Sequence, residues 1–254
     1  MKNQTLVAVD VSTGSLAHQS KSGDSPIIDG IFGAGFPSLT MMSDNGPSYN
    51  PIPQSLYASG LIPSPIFSVH LDNERGSVVL GGIHDGLDKS KIHYTNVVPE
   101  SNSFKHWTGT VNSISINGEK SFLRESKVFT FDTGTTLTML PEDVAKPLIQ
   151  SAWPNAELYH DDGDTTGAGY FRIKDCSKNI PAGNLTLELP SSSSTTFTLS
   201  VPLESLLQII SEKEDLCEVT IAAWRVAIIG NRLLANFYTV YEFGDQKRIG
   251  FAPV

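Results

Sequence analysis

Short apolar runs rich in Val, Ile, Thr, Phe and Tyr alternate along the chain with clusters of Gly, Pro, Asn, Asp and Ser. That is the pattern of many short strands separated by turns. The spacing predicts strands over residues 4–9, 67–71, 77–80, 107–116, 129–131, 185–189, 197–201, 238–243 and 248–252. Helices are expected to be few and short. Residues 142–152 follow Pro141, place Glu142 and Asp143 in the first turn, and align Val144, Leu148, Ile149 and Ala152 on one side, as an amphipathic helix beginning after a proline would. Residues 202–210 and 54–58 are the other helical candidates, and the class expected is all-β. One small pattern recurs: Ile31-Phe32-Gly33 and Ile228-Ile229-Gly230 are each a bulky apolar pair followed by glycine. The run from Gly30 to Gly35 suits a buried strand and turn better than a phosphate loop, because apolar residues fill it and Pro37 follows.

With 254 residues, 39% of them apolar, the chain can bury one substantial core or two smaller ones. A formal net charge of −9 and a pI near 5.1, with basic residues that never cluster, argue against nucleic-acid or anionic-membrane partners. No apolar run approaches the roughly 20 residues of a membrane span, and Met1-Lys2-Asn3-Gln4 leads into a strand-like stretch instead of a secretory signal. Cys176 and Cys217 lie far apart without metal-ligand spacing. One disulfide closing a loop of about 40 residues is the simplest reading, and two buried free thiols are the other. Asn3-Gln4-Thr5 and Asn184-Leu185-Thr186 are candidate glycosylation triplets, which with a disulfide favour an oxidising compartment. The six histidines are scattered, and no zinc-protease, serine-hydrolase or phosphate-loop motif is present, so no metal and no cofactor are expected.

The chemistry concentrates in Phe129-Thr130-Phe131-Asp132-Thr133-Gly134-Thr135-Thr136-Leu137. A carboxylate carried out of an apolar strand is costly to desolvate unless donors surround it, and the Gly134 N–H and Thr135 hydroxyl could supply them. Gly134 is the permissive hinge. On its own an Asp-Thr-Gly tripeptide is more often a simple Asx-type turn. Two look-alikes are set aside. Asp10-Val11-Ser12-Thr13-Gly14-Ser15 has Ser12 where an aspartate would be needed, and Asp161-Asp162-Gly163-Asp164-Thr165-Thr166-Gly167 lacks calcium-loop spacing and a closing glutamate.

The segment around Asp132 resembles the second active-site motif of the pepsin-like aspartic proteases. The likeness extends through residues 29–37, through Gly76-Ser77-Val78-Val79-Leu80-Gly81-Gly82, and through Ile228-Ile229-Gly230 leading to Tyr238-Thr239-Val240-Tyr241. It implies a bilobal fold with a partial first lobe and inter-lobe strands over residues 1–99, a complete second lobe over 100–254, and a junction near 94–99. It also implies Asp132 as a catalytic carboxylate, supported by Thr133, Gly134 and Thr135. Thr133 would reach toward the matching threonine of the other motif, Thr135 would bond the Asp132 carboxylate, and Thr136, Met139 and Ile228 would face substrate. Asp132 and Ile228 are 96 positions apart, and the same distance back from Ile31 falls before residue 1, so the first Asp-Thr-Gly and the flap hairpin are expected upstream of this chain.

The function expected is therefore aspartic endopeptidase, acting as a monomer on peptide or protein substrates, secreted or vacuolar in full-length form. Carrying one aspartate of the pair, this chain is expected to be inactive alone. A peptide-binding homologue without turnover, or a truncated gene product, is the alternative. Pairing of two copies, each giving one Asp132, is a third, which the remnant of the first lobe would obstruct. A cut first lobe is also expected to expose apolar strand edges.

Overall fold

A computed structural model describes residues 4–5, 29–40, 48–72, 76–160, 167–193 and 195–254. Most of them lie in short strands arranged in four sheets, with few helices. Asn3 and both look-alike motifs, save Gly167, fall outside the described residues, as does the strand expected over 4–9 except for Gln4 and Thr5, which are not in strand.

The sheet that carries the site has the order Ile221–Ala223, Thr138–Leu140, Ile228–Ile229, Lys127–Phe131, Thr108–Val111. A five-stranded antiparallel sheet packs nearby in the order Ser77–Leu80, Ile66–His70, Phe237–Glu242, Arg248–Pro253, His93–Asn96, so the last strands of the chain lie between strands from its first hundred residues. Its inward row includes Phe67 and Tyr241, stacked at 4.8 Å, with Trp107 edge-on to both. Trp107 is buried and donates its indole N–H to the Ala34 carbonyl (2.8 Å). The core thereby reaches from this sheet to the strand that leads to Asp132.

The predicted strand over 107–116 is two strands. Thr108–Val111 pairs with Lys127–Phe131, whereas Ser113–Ile116 pairs with Asn184–Pro190 in another sheet. The chain changes sheets at Asn112, whose N–H goes to the Glu188 carbonyl (2.7 Å). Alternation alone cannot reveal such a corner, because both strands keep an inward apolar row.

The helix Glu142–Ala152 buries Val144, Leu148, Ile149 and Ala152 as expected, with Ala145 as well. The helix predicted over 202–210 is not formed. A single 3-10 turn, Leu203–Leu206, is followed by the strand Leu207–Ser211, paired with Leu216–Val219. Leu203 and Leu206 are buried while Ile209 is 62% exposed, so the apolar residues form no helical stripe, and backbone pairing beside Cys217 prevails over local propensity.

The strand expected at Ile31-Phe32 is also absent. Both side chains stand in the open, at 82% and 53% exposure, and neither residue is in strand. A strand must pair its N–H and C=O groups. Ile228–Ile229 finds strands on both sides, and Ile31–Phe32 finds none among the described residues.

Cys176 and Cys217 form a disulfide with Cα atoms 5.8 Å apart, tying the turn Cys176–Lys178 to the strand Leu216–Val219. Both are buried.

Candidate active site

Asp132 follows directly on the strand Lys127–Phe131, whose Phe129 and Phe131 are buried. Two interactions hold the strand end: the Phe131 N–H donates to the Trp107 carbonyl (2.8 Å) and the Asp132 N–H to the Ile229 carbonyl (3.0 Å). The carboxylate is clamped on both oxygens. Oδ1 accepts the Gly134 N–H at 2.9 Å and Oδ2 accepts the Thr135 hydroxyl at 2.6 Å. The Thr135 N–H turns back to the Asp132 carbonyl (3.3 Å). Together these close residues 132–135 into a compact turn that leaves Asp132 half-buried.

The chain returns through Thr138–Leu140, and Ile228–Ile229 runs between the two arms, parallel to one and antiparallel to the other. The loop is then sewn to the segment just after Ile229. The Asn231 N–H donates to the Thr135 carbonyl (2.7 Å), the Arg232 N–H to the Thr136 carbonyl (3.2 Å), and the Gly230 N–H to the buried Thr138 hydroxyl (3.2 Å). A Cβ on Gly230 would lie 2.2 Å from the Leu137 carbonyl oxygen and 2.8 Å from that of Thr135. Only glycine lets the two backbones approach this closely.

The other expected site residues are more dispersed. The Thr133 carbonyl receives the Asn231 side-chain amide at 3.5 Å. Met139 and Ile228 are half-buried cross-strand partners. Thr136 is exposed and lines an open groove of about 620 Å³ with His70, Val78, Asn231 and Arg232; neither Met139 nor Ile228 lines it. Three contributors were not singled out from the sequence: Thr138, Asn231 and Arg232. The only available signal was their position, on the return strand and directly after the apolar-apolar-glycine triplet.

Tyr241 is fully buried, and its hydroxyl has no hydrogen-bond partner among the described residues. Burial pushes its phenol far above the ordinary tyrosine value, and the Asp132 charge adds to it. Among the described residues, no cluster of three or more His, Cys, Asp and Glu side chains could hold a metal, and no helix is long and apolar enough to cross a membrane.

The Asp132 carboxylate is thus held on both oxygens by its own glycine turn, beside a strand that runs between the two arms of that loop. The chain belongs to the eukaryotic aspartyl protease family, whose model matches residues 1–254. It is similar to mucorpepsin of Rhizomucor miehei, 32% identical over 257 residues, and to mucorpepsin of Rhizomucor pusillus, 33% identical over 263. Those alignments cover 99% and 100% of this chain but 58% and 59% of the relatives. Human gastricsin is 27% identical over 237 residues, with 88% of this chain and 54% of that protein covered. The chain thus spans less than two thirds of the length of the relatives it matches.

Proposed function

We propose that Asp132 is one of the two carboxylates of an aspartic endopeptidase. The observation that carries this is the Asp132 carboxylate gripped by Gly134 and Thr135 while its loop encloses Ile229 and Gly230. In such a site two carboxylates about 3 Å apart share a proton, because both cannot ionise easily. One takes a proton from the attacking water and its mate protonates the substrate. The clamp on Asp132 fixes the carboxylate plane, so an oxygen lone pair can meet the water without reorganisation. Thr136 borders the groove where a peptide would lie, and Met139 and Ile228 support the strand pair behind it. In this reading residues 1–99 are part of a first lobe with inter-lobe strands and residues 100–254 are the second lobe. The disulfide supports a secreted or vacuolar setting.

Among the described residues, no other carboxylate bonds Asp132 or residues 132–137. The chain alone is therefore expected to hydrolyse peptides weakly or not at all, and the same observation favours a second reading, a peptide-binding homologue without turnover. Acid-pH hydrolysis of a denatured protein, with and without a transition-state inhibitor of aspartic proteases, tests both on wild type and Asp132→Asn. Inhibitor-sensitive activity lost in the variant supports the endopeptidase. Inhibitor binding without turnover supports the second reading. Activity that persists in Asp132→Asn overturns the role given to this residue.

A further inference from the structure

The triplet Asn184-Leu185-Thr186 takes no part in the site around Asp132, and its sheet shares no strand with the sheet that holds that residue. It opens the strand Asn184–Pro190, the central strand between Ser113–Ile116 and Thr196–Pro202. Leu185, Leu187 and Leu189 are buried, so Asn184, Thr186 and Glu188 face outward. The neighbouring outward positions Thr198, Ser200 and Pro202 are exposed, whereas Asn184, Thr186 and Glu188 are half-buried and Ser115, on the other flank beside Thr186, is buried; the face is polar and opens to solvent on the Thr196–Pro202 side.

The backbone at Asn184 is held firmly and its side chain is not. Its N–H donates to Asn117 Oδ1 (2.8 Å), and its carbonyl receives the Asn117 N–H (2.9 Å). The Asn184 side-chain amide bonds no described residue. The Thr186 hydroxyl is the opposite case. It donates to the Ser115 carbonyl (3.1 Å), accepts the Gly118 N–H (3.2 Å) and lies 2.7 Å from the Ser115 hydroxyl.

We propose that Asn184 is an N-glycosylation site of the secreted protein, modified on the unfolded chain before the strands 113–116 and 184–190 close. This rests on the secretory setting proposed above but not on proteolysis. In the reaction the Asn184 amide nitrogen forms a bond to the anomeric carbon of a polyprenyl-diphosphate-linked oligosaccharide. The bond from that carbon to the diphosphate oxygen breaks, the lipid diphosphate leaves with the electron pair, and the amide loses one proton. The transferase reads the hydroxyl at the third position of the triplet together with the asparagine amide. Folding commits the Thr186 hydroxyl to Ser115 and Gly118, which removes it from reach. The folded sheet then leaves the Asn184 amide free to project a glycan into solvent without breaking a bond.

The full chain, expressed behind a secretion signal in a eukaryotic host, is mapped by glycopeptide mass spectrometry and endoglycosidase mobility shift. An Asn3→Gln background removes the other triplet. An endoglycosidase-sensitive glycan at residue 184 is expected there, absent in Asn184→Gln and Thr186→Ala, and retained in Thr186→Ser, which keeps the hydroxyl and guards against a folding defect in Thr186→Ala. Asp132→Asn is expected to carry the same glycan, so a missing glycan would leave the protease reading standing. Unmodified Asn184 in chain that has entered the lumen, scored by protection from added protease, overturns the proposal. The order of events is tested with microsomal membranes: chain translated in their presence gains the glycan, and folded chain added afterwards does not. Equal modification of both overturns the ordering.

Discussion

At the scale of single residues the site is a problem of backbone proximity. The Asp132 clamp requires the 132–137 loop and the 228–231 segment to touch main chain to main chain, and Gly230 sits where they meet. A methyl there would overlap the Leu137 carbonyl at 2.2 Å and its carbon at 2.5 Å. Both are backbone atoms, which cannot rotate away as a side chain would. Gly230→Ala is expected to destabilise the fold by about 3 kcal/mol, the upper end of the usual overpacking cost, and to abolish any activity or inhibitor binding that depends on Asp132. Urea unfolding read beside binding checks both, and an unchanged midpoint would show that the loop does not need this contact. The carboxylate itself and its two donors could be named from the sequence, because a turn aspartate engages donors within three residues of itself. The stitching by Asn231, Arg232 and Thr138 could not, since these bonds join positions about ninety or more apart.

At the scale of elements, strands with a polar face were legible and corners were not. Residues 185–189 and 197–201 alternate cleanly and lie within Asn184–Pro190 and Thr196–Pro202. The sheet change at Asn112 and the strand Leu207–Ser211 depend on distant partners. The helix Glu142–Ala152 was readable despite Pro147 inside it. Pro147 is exposed and has no N–H to return to the turn before it. Pro147→Ala should therefore stabilise the protein, by roughly 1–3 kcal/mol, seen as a higher urea midpoint. A second element has a pH dependence. Residues 100–103 form a hairpin whose two central residues, Ser101 and Asn102, have positive φ. Glu100 Oε1 then accepts the His106 N–H (3.0 Å) and pairs with its Nδ1 (2.9 Å), just before Trp107. Burial pushes the Glu100 carboxyl up, but the His106 bonds and the nearby His106 and Lys105 charges outweigh it, and the net position is below the ordinary 4.5. A carboxyl lowered by folding contributes stability above its unfolded value and loses it as pH falls through its folded one. Wild type should therefore exceed Glu100→Gln in stability at neutral pH. The gap should narrow as pH drops below 4.5, whereas a gap independent of pH would mean that the carboxylate charge is not what His106 binds.

At the scale of the whole molecule, the all-β class was written in composition and periodicity, yet how the sheets share strands was not. The strands 66–70 and 77–80 join the C-terminal strands in one sheet, an association across more than 150 positions that periodicity along the chain does not reveal. The apolar run between Gly30 and Gly35 led to a buried strand at Ile31-Phe32, where the described structure has open apolar side chains instead. Exposed Ile31, Phe32 and Leu39 border a groove of about 550 Å³ also lined by Phe36 and Ile52, a patch of the kind that drives association. Opposing it is the net charge of −9, which makes the copies repel at neutral pH and vanishes near the pI of 5.1. Salt at about 0.15 M shortens that repulsion to roughly 8 Å while leaving apolar contact intact. Self-association should thus be weakest at neutral pH and low salt, rise with ionic strength, and peak near pH 5. Ile31→Asp with Phe32→Ser should suppress it in sedimentation velocity under all these conditions, by removing apolar surface and, through the introduced carboxylate, adding charge. Association that follows pH and salt equally in the double variant would place the contact elsewhere, with the edge strand Ser77–Leu80 and its 60% exposed Val78 as the next surface to alter.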